Sequence, residues 1–485
     1  MTALCETVTA TTMAELVARR DAVSQADLVE LRLDGVADPD VAAALAGRTR
    51  PVVVTCRPQW EGGRFAGTED DRRALLEQAL TLGAEFVDVE ARAGFDALVA
   101  RDPSRVVVSF HDFEGVPPDL HDRVRAMRAT GARVIKVAVL TRRLRDTLAL
   151  REIGRAGGAV VIGMGDAGVT TRLLAGRFGS CWTYAGSGVA PGQIVAARMV
   201  EEFRYRDVGT QTRLFGVVSP NALHSRSPAM HNAAFAAAAI DAVYVPLAAG
   251  DFDDFESFAT AMGVEGASVT IPFKLDALAA AGRADARTRA TGAANTLRRD
   301  AGGWEATNTD IDGFLAPLPA AYGGPLRGAR ASVLGAGGAA RAVVVGLQAE
   351  GATVTVHARR REQAAVLAAH FGVAAGDWPP AGGWDLLVNT TPLGGTTLRD
   401  QSPLPEGPFG GRLVYDLTYG GGESRLLRDA RAAGCATLDG LPMLVAQAER
   451  QFAWWMGRPA PPGVMHAAAG GQQGPAGRGG SPGEN

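Results

Sequence analysis

Cysteine is scarce in this chain: Cys5, Cys56, Cys181 and Cys435 are the only four among 485 residues, and none is spaced as CxxC or CxxH. That scatter excludes a disulfide framework and a cysteine-built zinc site, and leaves reduced thiols that pack as small hydrophobes. An excess of one charge is missing too. The formal net charge is −3, so neither a nucleic acid nor an anionic membrane is expected as a partner, whereas a small acidic metabolite at a local basic cluster is compatible with it. No run of about 18 apolar residues occurs, and the N-terminal "MTALCETVTATTMAELVARR" lacks the basic-then-apolar plan of a signal peptide. A cytoplasmic protein is expected. The histidines lie apart in unrelated contexts, so no metal ligand set is expected either. Nothing in the sequence specifies an oligomeric state.

At about 100–200 residues per domain, the length predicts two or three domains. Before about residue 205, eight short Val/Ile-rich runs recur: "CETVTA", "DLVELRL", "PVVVTCR", "EFVDVE", "RVVVSFHDF", "RVIKVAVL", "AVVIGMG" and "SCWTYAG". Amphipathic stretches such as "DDRRALLEQALTLG" separate them. This is the pattern of buried parallel strands with crossover helices, and eight of them predict a (β/α)8 TIM barrel, with an open doubly wound sheet as the rival. Glu30, Arg32, Arg57, Glu90, His111 and Lys136 fall in or just after six of the runs, mostly toward their C-terminal ends. Barrel enzymes carry their chemistry there, and a packed strand does not hold such groups without a use for them.

Past "EEFRYRDVGTQTRLFG" the texture changes. The segment "ASVLGAGGAARAVVVGLQAEGATVTVHARR" reads strand, glycine turn, helix, strand. Gly335 suits the tight turn, Gly337 suits close approach of backbone to a pyrophosphate, and Ala340 suits close helix–strand contact. The loop Gly335, Ala336, Gly337, Gly338 and Ala339 is therefore read as a dinucleotide site. About 20 residues on, where an NAD site has an acidic residue, stand Arg359, Arg360 and Arg361. Guanidinium groups suit a ribose 2′-phosphate, so NADP(H) is expected over NAD.

Upstream of the loop come "HSRSPAMHN", "SVTIPFK", "GAANTL" and "NTDIDG". Ser225 and Ser227 place hydroxyls two residues apart, as suits a carboxylate. Asn295 and Asp310 suit the hydroxyls of a polyol, and Lys274 can pair with Asp310 near a carbon being reduced. Together with "VNTTPLG", "VYDLTYG" and "GLPMLVAQAERQFAWWMG", these motifs resemble shikimate dehydrogenase from about Arg213 to Gly457. The resemblance implies that Ser225, Ser227, Thr270, Asn295, Asp310 and Gln447 contact substrate with Tyr419 nearby. It further implies that Lys274 and Asp310 handle the proton as a 3-keto group is reduced by NADPH, and that Asn389 and Thr390 belong to the cofactor site. Departures from the family pattern are "VSPNAL" before HSxSP, Ser268 before VTxPFK, Ala358-Arg359-Arg360 for NRT, and "YGGGES" after Tyr419.

In the first 205 residues Lys136 stands within "RVIKVAVL" on a strand that should be buried. A desolvated lysine has a lowered pKa, and a neutral amine attacks a ketone to form a Schiff base. His111 in "SFHDF" offers a proton carrier, and Glu90 in "VDVE" offers a carboxylate to orient it. Arg172 and Gln193 supply donors for an anionic, hydroxylated ligand. With "ELRLD", "TCRPQWEGG", "GDAGVTTRLLAGRFGS" and "APGQI", this half resembles type I 3-dehydroquinate dehydratase. The resemblance implies an imine at Lys136, His111 as base and acid, Glu90 steering the imidazole, and Glu30, Arg32, Arg57, Arg172 and Gln193 on the substrate. Val189 stands where that family commonly has Ser.

The combined order resembles the plant fused enzymes. It implies a barrel over residues 1–208, a substrate-binding lobe over 209–324 completed by a helix at 441–458, and a Rossmann domain over 325–440, while the Gly/Pro/Ala/Gln-rich composition of the end, with little to bury, predicts a disordered tail at 459–485. The implied function is dehydration of 3-dehydroquinate followed by NADPH-dependent reduction of 3-dehydroshikimate to shikimate. Two alternatives stand beside it: a catabolic quinate/shikimate dehydrogenase fused to the same dehydratase, and a non-catalytic metabolite sensor. A class I aldolase also uses a barrel lysine, but SFHDF and APGQ argue against one.

Overall fold

The computed structural model describes residues 2–186, 191–420 and 422–470. Contacts divide the chain into two compact units: Met1–Pro228 with Asp241–Ala267, and Ala229–Ile240 with Ser268–Asn485.

The first unit is built on eight parallel strands: β1 (Ala3–Thr9), β2 (Leu28–Arg32), β3 (Val52–Thr55), β4 (Phe86–Glu90), β5 (Val106–Asp112), β6 (Val134–Leu140), β7 (Ala159–Met164) and β8 (Trp182–Ala185). They follow one another in space in chain order, with β1 also beside β8. The ring closes where Ala159 bridges Ser180 and the Cys181 amide donates to the Ala159 carbonyl at 2.8 Å. Closure rules out the open-sheet rival. The strands are apolar on both faces because helices cover the outside while Cys5, Val53, Val107, Val160, Ile162 and Trp182 fill the inside. The Val52–Val54 run is fully buried for this reason. Sharp helix starts set the loops between strands: Thr68 and Asp71 form a reciprocal capping box at the head of helix Glu69–Thr81.

The same unit carries strands Arg213–Val218 and Ala242–Leu247, paired in parallel, and helix Phe252–Met262. Asp254 in this helix is fully buried. Its carboxylate accepts the backbone N–H groups of Gly250 at 3.0 Å, Leu144 at 2.9 Å and Arg145 at 2.8 Å. The loop after β6 is thereby tied to a helix more than a hundred residues further on.

In the second unit six parallel strands lie in the order 374–376, 353–357, 330–334, 386–389, 413–416 and 436–438. Helix Gly338–Ala349 follows the first strand in sequence and packs Val343, Val344 and Leu347 into the core. This is the doubly wound arrangement expected of a dinucleotide fold. Strands Thr296–Asp300 and Gly303–Thr307 form an antiparallel pair. Helix Leu441–Met456 packs beside them, and its Trp455 indole donates to the Leu297 carbonyl at 2.9 Å.

The tail corrects one expectation. Val464–Gly470 is helical and buries Met465 and Ala469 against helix Leu441–Met456, an apolar pair that overall composition hid. Residues 471–485 lie outside the described residues. Among the described residues no helix is long and apolar enough to cross a membrane.

Candidate active sites

The barrel strands deliver their polar residues to one pocket, lined among others by Glu30, Arg57, His111, Lys136, Arg172 and Gln193. Lys136 is 6% exposed and is not surrounded by apolar groups alone. Its Nζ lies 3.2 Å from Glu30 Oε1 and 3.1 Å from Asp88 Oδ2. Glu30 is held by the Thr7 and Thr55 hydroxyls, each at 3.0 Å. Asp88 accepts from the Ser109 hydroxyl at 2.6 Å and from Arg57 at 2.9 Å. Burial opposes the charge on Asp88, but Arg57 and Lys136 outweigh it and hold the carboxyl well below the usual range.

His111 closes one side of the pocket. Its Nδ1 and its backbone N–H both reach Glu61 Oε1 at 3.0 Å. Burial, followed by the Arg57 and Lys136 charges, pushes the imidazole well below its ordinary value and keeps it neutral. Burial also raises Glu61 to about 7, with Arg57 partly opposing it.

The expected steering of His111 by Glu90 is corrected here. Glu90 bonds Arg57 at 2.7 Å and pairs with the fully buried Arg72, so both its oxygens are spent on guanidinium groups. Arg57 bridges Asp88 and Glu90 and also donates to Ser109 at 2.8 Å. Arg32 is held bidentate by Asp34 at 2.8 and 2.9 Å. Arg172 differs from these arginines. It is 2% exposed, its Nη1 donates to the Tyr184 carbonyl at 3.4 Å, its Nε has no hydrogen-bond partner among the described residues, and burial lowers it to about 10. A buried guanidinium without an anion is suited to receive one. Val189 lies in the segment 187–190, outside the described residues.

In the second unit Lys274 Nζ meets Asp310 Oδ2 at 2.5 Å. The other Asp310 oxygen accepts from the Asn295 amide at 2.7 Å, and that amide also reaches Thr309 at 3.0 Å and Gln447 at 3.5 Å. The Asn295 carbonyl takes the Thr309 N–H at 2.8 Å, so Asn295 orients Asp310 as well as facing the site. Thr270 is partly exposed and Tyr419 is 37% exposed. Ser225 and Ser227 belong to the first unit, where the Ser225 hydroxyl accepts the Ser227 N–H at 3.1 Å.

The glycine loop fits a dinucleotide. Gly335 has φ +116°, and a Cβ there would lie 2.4 Å from the Thr390 hydroxyl, so only glycine fits. A Cβ at Gly337 would meet nothing within 4 Å, which leaves the helix N-terminus open to an anion. At Gly338 a Cβ would come within 2.9 Å of Lys274 Cδ, so the lysine stem runs directly against the loop. Arg359 and Arg360 are exposed and have no carboxylate partner among the described residues.

Asn389 does not face a nucleotide. It is fully buried, donates to Leu393 O and Asp416 at 2.9 Å each, and accepts from Thr391, which commits it to the strand-end turn. The Thr390 hydroxyl is likewise bonded to the Leu334 carbonyl at 2.7 Å. Among the described residues no group of three or more His, Cys, Asp or Glu is placed to hold a metal.

Residues 4–210 match the type I 3-dehydroquinase family. Residues 217–297 match the shikimate dehydrogenase substrate binding domain, and 440–469 match the shikimate 5′-dehydrogenase C-terminal domain. Over 474 residues the chain is 31% identical to the chloroplastic bifunctional 3-dehydroquinate dehydratase/shikimate dehydrogenase of Arabidopsis thaliana, covering 90% of this chain and 78% of that protein. The chain belongs to this bifunctional family.

The dehydrogenase half is also 41% identical over 258 residues to the shikimate dehydrogenase (NADP(+)) of Oleidesulfovibrio alaskensis, spanning 51% of this chain and 91% of that one. The solved shikimate dehydrogenase of Aquifex aeolicus superposes with a TM-score of 0.50 at 32% identity, over 54% of this chain and 98% of its own.

Sequence reasoning missed Glu61, Asp88, Ser109 and Arg72 in the dehydratase. Glu61 was within reach in the quoted "TCRPQWEGG", where two glycines after a carboxylate mark a turn. A stronger signal was overlooked: the chain contains only two lysines, Lys136 and Lys274.

Proposed function

We propose that the dehydratase works through an imine at Lys136 and that the dehydrogenase spends NADPH on the resulting 3-keto acid. In the first half the Lys136 amine adds to the substrate ketone. The carbonyl oxygen leaves as water with two of the three protons that the resting Lys136 ammonium carries, and the third stays on the protonated C=N bond. His111, neutral and tethered at Nδ1, takes a proton at Nε2 from the carbon next to the imine, and the bonding pair becomes an enamine. The enamine then expels the neighbouring hydroxyl, protonated by His111, as water. Hydrolysis of the imine releases the unsaturated ketone and restores Lys136. Glu61 is the positioning carboxylate for His111. Arg172 binds the substrate carboxylate, and Glu30, Arg32, Arg57 and Gln193 line its hydroxyls. Arg172, buried in the pocket that holds Lys136 and His111 with its Nη1 on the Tyr184 carbonyl and no carboxylate partner among the described residues, carries this reading.

In the second half bound NADPH would supply hydride to the ketone carbon. Gly335, Ala336, Gly337, Gly338 and Ala339 would hold its pyrophosphate, and Arg359 and Arg360 its 2′-phosphate. Lys274 and Asp310 deliver the proton to the forming alkoxide, and Thr270, Asn295, Tyr419 and Gln447 hold the ring hydroxyls. Ser225 and Ser227 are assigned to the carboxylate, which favours shikimate over quinate. The three-domain division, at 1–208, 209–324 with 441–458, and 325–440, is part of the same proposal.

The purified chain given 3-dehydroquinate without nucleotide should develop the ultraviolet absorbance of a conjugated enone acid, and added NADPH should remove it. A flat trace with active reduction of 3-dehydroshikimate would reject the dehydratase assignment and turn attention to Val189.

A further inference from the structure

Tyr184 on β8 has no part in the steps above. It is 3% exposed and lines the pocket that holds Lys136. Lys136 Nζ lies over its ring, 4.3 Å from the centroid. Among the described residues the buried Tyr184 hydroxyl makes no hydrogen bond, and neither does the Trp182 indole N–H two residues earlier on the strand. Burial, reinforced by the Glu30 charge, pushes the phenol well above its ordinary value. Tyr184 therefore meets Lys136 as a neutral aromatic face.

The contacts of Lys136 change character during the reaction. An ammonium has three N–H donors, and Lys136 spends two of them on Glu30 and Asp88. An iminium at the same nitrogen has one. Both carboxylate hydrogen bonds cannot survive imine formation, although the positive charge does. A ring face attracts a cation whatever its number of N–H groups, and more strongly where water is excluded.

We propose that the Tyr184 ring is a catalytic group of the dehydratase: its face stabilises the positive charge on the Lys136 nitrogen as ammonium gives way to iminium. The proposal rests on the Schiff-base assignment of Lys136. It places the function in the ring and not in the hydroxyl.

The test uses full-length chains carrying Tyr184→Phe, and mono-, tri- and pentafluorinated phenylalanine at the same position. Fluorine drains the ring face of negative potential while nearly preserving its shape. Imine is trapped with borohydride in the presence of 3-dehydroquinate, and dehydratase turnover is measured alongside; dehydrogenase turnover of each sample reports that the chain is folded. Relative to Tyr184→Phe, trapping and turnover are expected to fall stepwise with fluorination, by about tenfold at the pentafluorinated ring. A flat series overturns the proposal. A Tyr184→Phe chain without dehydratase turnover also overturns it, by assigning the role to the hydroxyl. Mass mapping of the trapped wild-type chain separates the two levels of inference. Label away from the Lys136 peptide rejects the Schiff base and this proposal together, whereas label on Lys136 with a flat series rejects the ring alone.

Discussion

The only two lysines of the chain sit one in each candidate active site, and their surroundings differ in kind. Lys136 touches two carboxylates and an aromatic face, and behind these lie Arg57, Glu90 and Arg72 in a buried alternation of charge. Lys274 touches one carboxylate, Asp310, whose second oxygen is steadied by the neutral Asn295 amide. A nucleophile that becomes a covalent cation, as proposed for Lys136, must have its charge balanced through several chemical states, and each buried balancing group in turn needs its own partner. A pair that only passes a proton requires one good exchange partner and a fixed geometry. The barrel therefore concentrates buried ions where the dehydrogenase site relies on amides and hydroxyls.

The sharpest break of this comparison is to remove each lysine in turn. Lys136→Ala should lower dehydratase turnover by about 10⁴-fold and leave dehydrogenase turnover intact, while Lys274→Ala should lower reduction by about 10²–10⁴-fold and spare the dehydratase. Separate assays of the two reactions on each variant check this. A variant that damages both would show that the lysines also hold the fold.

Glu61→Gln sharpens the contrast, because it trades stability against activity. Its carboxyl is raised from 4.5 to about 7, so the folded chain binds the proton more tightly than the unfolded chain between those pH values. The wild type should accordingly lose stability as pH rises through that window, up to about 3 kcal/mol above pH 7. Glu61→Gln should melt higher than wild type at pH 8, with the difference vanishing toward pH 4.5. Its dehydratase turnover should fall about 10²-fold, and the rise in wild-type activity on ionisation near pH 7 should disappear. Calorimetry and a pH–rate profile read both.

The smallest expected effect lies at the cofactor edge. Arg359→Ala or Arg360→Ala should each raise the KM for NADPH about tenfold, the loss of a charge-assisted hydrogen bond, and leave the KM for NADH unchanged. Equal effects on both cofactors would mean that the arginines do not read the 2′-phosphate.

Much of this was legible before any coordinate. The glycine loop, the strand ends and the lysines are local signals, because a φ-positive turn, a doubly buried strand and a nucleophile each require particular residues at particular places. Glu61 and Glu90 were not separable in that way. Both are carboxylates beside barrel strands, and choosing between them depends on the turn Gln59–Glu61 reaching His111 fifty residues away while Arg57 and Arg72 occupy Glu90. Asn389 was misread for a related reason: a conspicuous "VNTTPLG" motif turned out to satisfy its own strand-end backbone.

By itself the sequence determined the eight-strand barrel, the dinucleotide fold and the two chemistries, because periodicity, glycine placement and reactive residue types are properties of short stretches of chain. Tertiary structure alone decided which carboxylate holds His111, that Lys136 is ion-paired rather than bare, that Arg172 is buried without a carboxylate partner among the described residues, and that Asp254 ties a distant helix to the loop after the Lys136 strand. Those are questions of which buried charge meets which, and burial with pairing is set by distances between segments that are far apart in the chain.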